Sequence, residues 1–255
     1  MSQLIGPMLG RLSRLRNASS GQEFPDNWIN ELKSLKNIGA NCIEWLIINR
    51  PLVENPLFYS YCSALEKFPI VSVNIHSMVT NHINIPQLEY ICKACMQYNI
   101  KRLTLPFIEA CSFKTLYNQR SILNSLIKLG EKYPTLSFSF ETDLTAEDLR
   151  PILDTCDSFY TTYDTGNVTA ANLNHEKEIE VLANKIDNVH LKDRLLNNGP
   201  SVKPFTGDTD FKLIFNCLKN IEYKNPFILE TFRGNPGDEN LTVKNYIKQF
   251  RDIYV

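Results

Sequence analysis

Eight short apolar segments, each followed by a longer segment of helical period, run through the 255 residues of the sequence. Strands that alternate with helices pair in parallel through right-handed crossovers. Eight such units in about 250 residues match the size of a closed barrel. The sequence also lacks a Pro/Ser-rich linker and an internal low-complexity segment. These observations predict an α/β fold, a (β/α)8 TIM barrel, that forms a single domain over residues 1–255.

The first four strand–helix units are defined by apolar runs and by helix boundaries. LIGPML is the first predicted strand, and Gly39 ends the helical segment after it. NCIEWLI is the second strand, and Asn55 and Pro56 begin the helix that follows. IVSVNIH is rich in β-branched residues, which favour strands. The predicted strands of this half are 4–9, 41–47, 70–76 and 102–107, and the predicted helices are 25–39, 55–68, 86–99 and 113–133.

The second half repeats this pattern, beginning with LSFSFETD as the fifth strand. Thr145 then caps a helix whose first turn carries acidic residues. The predicted strands of this half are 136–143, 159–167, 188–194 and 226–232, and the predicted helices are 145–156, 175–186, 210–223 and 241–255. A doubly wound open sheet is the alternative fold. It would begin with a GxGxxG turn, which Gly6-Pro7-Met8-Leu9-Gly10 matches poorly.

Composition excludes several classes of partner. Apolar residues make up 43% of the chain and charged residues 22%, and the formal net charge is −1. Such a balance creates no general field that would recruit nucleic acid or an anionic membrane. No apolar run approaches the roughly 18–20 residues that span a bilayer. Seven cysteines without a signal peptide indicate a reducing compartment. We therefore expect a cytoplasmic protein that binds neither nucleic acid nor membrane.

Ionisable residues interrupt the last four predicted strands near their carboxyl ends. They are Glu141, Asp164, His190 and Glu230. In a barrel of this kind the carboxyl ends of the strands face one mouth, where active sites are built. Three close carboxylates repel one another unless a cation compensates them. We therefore predict one divalent metal ion, with Mn²⁺ or Mg²⁺ favoured by the oxygen-rich ligands and Co²⁺ or Zn²⁺ possible. The alternative is four unrelated strand-end residues that cap helices or pair with arginines.

Other polar residues of the predicted mouth are candidates for substrate binding. They are Lys192, Glu44, His76, Glu109, Arg194 and Arg233. Lys192 shares the parity of His190 along the strand, so it is a candidate to hold a substrate oxygen or a phosphate. Its alternative role is a salt bridge with Asp193 or another acid. In the loop after the first strand, arginines 11, 14 and 16 are candidates to clamp an anionic substituent, or are solvated loop charges.

The motifs ETDL, YDTGN, VHLKDR and FILETFRG, in this order, resemble those of the xylose isomerase-like barrels, the sugar phosphate isomerase/epimerase superfamily. Gly10-Arg11-Leu12, FPDNWINEL and GANCIEW extend the resemblance over nearly the whole chain. The resemblance implies that the four strand-end residues are metal ligands. It also implies that Glu141 and Glu230 transfer protons.

The resemblance implies a metal-dependent isomerase or epimerase of carbohydrate metabolism, acting on a sugar or sugar phosphate through an enediolate. Relatives are often dimers or tetramers, so a homodimer or homotetramer is expected. A dehydratase (lyase) of a keto-polyol such as inosose and a non-catalytic sugar-binding barrel remain alternatives. An abasic-site nuclease would need a three-zinc cluster, and the chain has only four histidines. NIHSMVT and the loop after VHLKDR depart from the sugar-epimerase pattern.

Overall fold

Eight parallel strands form a nearly closed barrel in the computed structural model of the chain, which describes residues 3–15, 23–48, 52–76, 84–108, 111–114, 119–231 and 233–254. The barrel strands are β1 (Ile5–Pro7), β2 (Ile43–Leu46), β3 (Ile70–Asn74), β4 (Arg102–Phe107), β5 (Ser137–Thr142), β6 (Phe159–Asp164), β7 (Ile186–Leu191) and β10 (Phe227–Leu229). They lie in the order β1-β10-β7-β6-β5-β4-β3-β2. A parallel bridge between Met8 and Glu44 joins the two ends of the sheet. The predicted fold class is confirmed.

Helices follow the strands and cover the barrel. Those of the described residues are α1 (Trp28–Ser34), α2 (Ser63–Glu66), α3 (Ile85–Gln97), α4 (Gln119–Lys132), α5 (Ala146–Leu153), α6 (Thr165–Ala170), α7 (His175–Leu182), α8 (Phe211–Asn220) and α9 (Glu239–Tyr254). Apolar residues of β4, β5 and β6 pack edge to face or tilted, as Phe107, Phe140 and Phe159 do. This buried aromatic cluster supports the strands that carry polar residues at their carboxyl ends.

Three local predictions differ from the structure. The predicted helix 55–68 is divided into a short 3-10 turn, Pro56–Phe58, and the one-turn helix α2, because Tyr59 adopts an extended backbone with ψ of 148°. The sixth strand ends at Asp164, where α6 begins. The segment after VHLKDR, predicted as a loop, contributes β9 (Ser201–Val202) to a two-stranded antiparallel sheet with β8 (Asp193–Arg194).

No helix in the described ranges combines the length and the apolar character that crossing a bilayer requires.

Candidate metal centre

The four predicted metal ligands lie together at the carboxyl ends of neighbouring strands. Glu141 is on β5, Asp164 ends β6, His190 is on β7 and Glu230 directly follows β10. The strand register pairs Asp164 with His190, and His190 with Ile228 of β10. Each residue offers one ligand atom, and these atoms all lie within 4.8 Å of one another. The cluster could therefore hold one metal ion.

The orientation of the His190 ring fits a cation at this cluster. Its Nε2 atom lies 2.9 Å from Oε2 of Glu44. Its Nδ1 atom faces the opposite way, 3.0 Å from Oε2 of Glu230 and 3.6 Å from Oε2 of Glu141. Nδ1 is buried and has no aligned hydrogen bond to any described residue. A buried ring nitrogen surrounded by carboxylate oxygens is the arrangement that a divalent cation would complete.

Glu44 lies beneath the imidazole, and not at the mouth where the sequence analysis placed it. It is the second residue of β2 and is fully buried. Its Oε1 atom accepts hydrogen bonds from Ser72 (2.7 Å), Thr104 (3.0 Å) and Asn188 (3.0 Å). Burial raises the pKa of Glu44, but His190 and these donors together hold it below its usual range. The ionised carboxylate therefore fixes the imidazole with Nε2 as donor.

Lys192 pairs with two of the candidate ligands. Its ammonium group lies 3.3 Å from Oδ2 of Asp164 and 3.2 Å from Oε1 of Glu230. Burial lowers the pKa of Lys192, but these acids outweigh it and raise the pKa above its usual range. The alternative predicted for Lys192, a salt bridge with Asp193 or another acid, is therefore found with Asp164 and Glu230 and not with Asp193. Asp193 instead accepts the backbone N–H groups of Thr206, Gly207 and Thr209.

Arg194 reaches the cluster through an asparagine that the sequence analysis missed. Its Nη1 atom donates to Oδ1 of Asn167 at 3.0 Å, which leaves the Asn167 amide nitrogen to donate to Oε1 of Glu141 at 3.3 Å. The backbone N–H of Asn167 donates to Oδ1 of Asp164 at 2.8 Å. The available signal was the DTGN sequence, because an aspartate commonly caps a helix by accepting from the residue three positions later.

The remaining predicted substrate contacts are distributed around the mouth. His76 lies half-buried two residues beyond β3. Arg233 lies beyond β10 and donates from Nη1 to the backbone oxygens of Gly10 and Ser13. Arg11 is buried, with Nη2 3.7 Å from Oε1 of Glu230. Glu109 lies outside the described residues, as does Arg16, and Arg14 is exposed.

The two glutamates proposed for proton transfer have opposite electrostatic environments. Burial, with the charges of Glu230 and Asp164, raises the pKa of Glu141 to about 8 although His190 opposes the shift. Burial also raises the pKa of Glu230, but Lys192, His190 and Arg11 outweigh burial and hold this pKa well below its usual range. In the metal-free protein at pH 7, Glu141 therefore carries a proton and Glu230 does not.

This difference predicts that a divalent cation displaces at least one proton when it binds at pH 7. A cation needs the ionised form of Glu141, whereas the protonated form predominates below its pKa of about 8. The affinity for Mn²⁺ is expected to fall as the pH drops below about 8, by about tenfold per pH unit for each displaced proton. Titration calorimetry in buffers of different ionisation enthalpy measures the number of protons that Mn²⁺ displaces. An enthalpy independent of the buffer would contradict the prediction.

Comparisons with known proteins agree with the fold and with the sequence motifs. Residues 132–251 match the family model of the xylose isomerase-like TIM barrel. A search of curated proteins finds no match. Among solved structures, 3-keto-D-glucoside 4-epimerase from E. coli aligns at 14% identity with a TM-score of 0.72, covering 98% of this chain and 100% of that one.

Two further solved structures align over nearly the full chain. D-allulose 3-epimerase from Methylomonas sp., in complex with D-allulose, is 14% identical with a TM-score of 0.72, covering 100% of this chain and 98% of that one. The IOLI protein, which holds a zinc atom, is 15% identical with a TM-score of 0.70, and the alignment covers 99% of this chain and 98% of that one. The resemblance inferred from the motifs is confirmed: the second half of the sequence matches the model of the xylose isomerase-like TIM barrel, and the chain has the fold of these neighbours.

Proposed function

We propose that this chain is a divalent-metal-dependent isomerase or epimerase of a sugar. The observation that carries the proposal is the convergence of three carboxylates and one imidazole, from four neighbouring strands, within 4.8 Å of one another. The structural neighbours support the same class, since they include a keto-glucoside epimerase and an allulose epimerase. The partner we propose is accordingly a small carbohydrate.

The proposed metal ligands are those of the cluster described above: Glu141, Asp164, His190 and Glu230. Three carboxylates favour Mn²⁺ or Mg²⁺, and the imidazole is also compatible with Co²⁺ or Zn²⁺. A divalent cation supplies stabilisation of the negative charge that develops on the oxygens of a carbonyl substrate when a neighbouring C–H bond loses its proton. The protein contributes a dry site and a fixed imidazole, because Glu44 holds His190 from behind.

Proton transfer is assigned to Glu141 and Glu230. They approach the centre from β5 and from the end of β10, on either side of the β6–β7 pair that carries Asp164 and His190. Glu230 is held ionised by its cationic neighbours, removes a proton from the substrate carbon and then releases it to solvent. Glu141, which would be ionised with a cation bound, takes up a proton from solvent and returns it to carbon. Return to the opposite face of the same carbon gives an epimer. Return to the adjacent carbon gives the aldose–ketose isomer.

We assign the binding of substrate oxygens to polar residues at the barrel mouth. Lys192 presents its ammonium group beside Asp164 and Glu230, where it can donate to a substrate hydroxyl. Arg194 acts indirectly, because it orients the Asn167 amide that donates to Glu141. His76 and Glu109 remain candidate substrate contacts through their positions after β3 and β4.

The proposal is tested by hydrogen exchange into ketoses. Chelator-treated protein is reloaded with Mn²⁺ and incubated in D₂O with neutral and phosphorylated ketoses, and deuterium beside the carbonyl is followed by NMR. We expect deuterium in both the recovered substrate and the product, and none without metal. Absence of exchange with every substrate, together with absence of Mn²⁺ binding by calorimetry, would overturn the proposal. A dehydrated product would instead assign the centre to a lyase.

A further inference from the structure

We propose that Arg11 and Arg233 form a recognition site for an anionic oxygen group at the barrel mouth, so that the substrate carries a phosphate or a carboxylate. This inference rests on the proposed function in one respect: it takes the bound anion to be part of the substrate. The arginine pair itself, which we call the guanidinium pair, is defined by its own contacts. Its ligand is therefore testable without any catalytic reaction.

The topology brings the guanidinium pair together beside the metal centre. Arg11 follows β1 and Arg233 follows β10, and these two strands pair in parallel from Ile5–Phe227 to Pro7–Leu229. Both residues therefore emerge at the same mouth as the carboxylates. Arg11 is 8% exposed, and its Nη2 atom is 3.7 Å from Oε1 of Glu230. An anion bound here would lie next to the proposed reacting carbons.

Several donors of the pair have no acceptor. Nε of Arg11, and Nε and Nη2 of Arg233, are buried and lack a hydrogen-bond partner in the described part of the chain. Nη1 of Arg233 is already held by the backbone oxygens of Gly10 and Ser13. This anchor fixes the plane of the guanidinium group while its other edge stays unsatisfied. Buried charged donors without acceptors are costly, and an oxyanion would satisfy them.

The carboxylates near the pair include Glu230 and Glu31, and both also serve other groups. Glu230 is shared with Lys192 at 3.2 Å and with His190 at 3.0 Å. Glu31 uses Oε2 to accept the backbone N–H of Gly10, and burial raises its pKa to about 7, so that it is only partly ionised at neutral pH. Burial and the charge of Arg11 lower the pKa of Arg233 to about 10. Glu23 and Glu239 add negative charge near Arg233. The case for a bound anion therefore depends on the unsatisfied donors of the pair and not on its net charge.

The free edge of Arg233 indicates the kind of anion. Nε and Nη2 of one guanidinium group form a planar fork that matches two oxygens of a phosphate or a carboxylate. A hydroxyl group offers a single oxygen and no charge, so a neutral sugar would leave part of the fork unsatisfied. Phosphate and carboxylate share this chemistry, and the experiment separates them.

The test measures anion binding by the metal-free, full-length protein, so that no anion can coordinate a cation. Inorganic phosphate and acetate are titrated separately by calorimetry at constant ionic strength. We expect one of them to bind, and Arg11→Gln and Arg233→Gln each to weaken that binding at least tenfold. Arg14→Gln is the matched control, because Arg14 lies on the same loop but is exposed, and it should bind as the unmodified protein does. Phosphate binding indicates a phosphorylated substrate, and acetate binding a sugar acid.

Thermal melting verifies that each variant is folded. Arg233→Lys provides a second variant that keeps the charge but loses the planar fork, and it should weaken binding several-fold. Binding of neither anion by the unmodified protein, or equal binding by the arginine variants and the Arg14→Gln control, would overturn the inference. Deuterium exchange into neutral ketoses without anion binding would refute the guanidinium pair and leave the proposed function intact. Anion binding with neither deuterium exchange nor Mn²⁺ binding would support the guanidinium pair and overturn the proposed function.

Discussion

Glu141→Gln and Glu230→Gln are each expected to reduce deuterium exchange into the substrate by at least about 100-fold, the lower range for loss of a general acid or base. The amide keeps the size and one oxygen of the carboxylate but cannot accept a proton from carbon. Both residues are also proposed metal ligands, so Mn²⁺ affinity is measured for each variant by calorimetry. Exchange rates are then compared at saturating Mn²⁺.

Glu178→Gln is the matched control for these two variants. Glu178 is a buried acid on α7 that accepts the backbone N–H of Ala146 at 2.7 Å, and an amide oxygen can take over that role. Its exchange rate should stay within a few-fold of the unmodified protein. If either active-site variant retained the full rate at saturating Mn²⁺, the assignment of proton transfer to that glutamate would be wrong.

Glu44→Gln is expected to weaken Mn²⁺ binding about 10- to 100-fold, the range for loss of a residue that orients a metal ligand. It should also lower the free energy of unfolding by about 3–5 kcal/mol, because it breaks a buried charge pair. The pair is charged because the neighbouring carboxylates raise the pKa of His190 well above its usual value, although burial lowers it. One oxygen of Glu44 accepts from His190 and the other from Asn188 and two hydroxyls. Either orientation of an amide would therefore turn its NH₂ group towards a donor. Chemical denaturation and calorimetry measure the two effects.

Ser72→Ala is the control for Glu44→Gln. It removes one of the three donors to Oε1 of Glu44 and leaves the contact with His190 unchanged. We expect a loss of about 0.5–1.5 kcal/mol in the free energy of unfolding, with an unchanged affinity for Mn²⁺. Unaltered Mn²⁺ binding by Glu44→Gln would contradict the role of this carboxylate in orienting the imidazole.

The barrel and the four-residue cluster could be predicted from the sequence because both depend on the position of residues along a strand. Glu141, Asp164 and His190 interrupt apolar runs, and parallel strands bring their carboxyl ends to one mouth. The depth of Glu44 was not accessible in this way. It depends on the register between β2 and β3, which pairs Glu44 with Ser72 near the middle of the barrel wall. Register across a barrel is set by the whole fold, and no local pattern specifies it.

The contribution of Asn167 was missed because of a strand boundary. Residues 159–167 read as one continuous strand, since Phe, Thr and Tyr are frequent in strands. The chain turns into α6 at Thr165 because the side chain of Asp164 accepts the Asn167 N–H and caps the helix. This turn brings the Asn167 amide back towards Glu141. The predicted helix 55–68 is wrong for a different reason. Its cap does form at Asn55, but the extended backbone of Tyr59 ends the helical turn after Phe58.

The closure of the barrel between β1 and β2 bears directly on the metal centre. The bridge that joins these strands is made by Met8 and Glu44, and the backbone oxygen of Glu44 accepts the N–H of Leu9 at 2.9 Å. The residue whose backbone closes the wall is thus the residue whose side chain anchors His190. Separation of β1 from β2 would therefore displace Glu44, and with it the His190 ring that Glu44 holds. Slow amide exchange at Leu9 would accordingly report that Glu44 still holds the His190 ring in place.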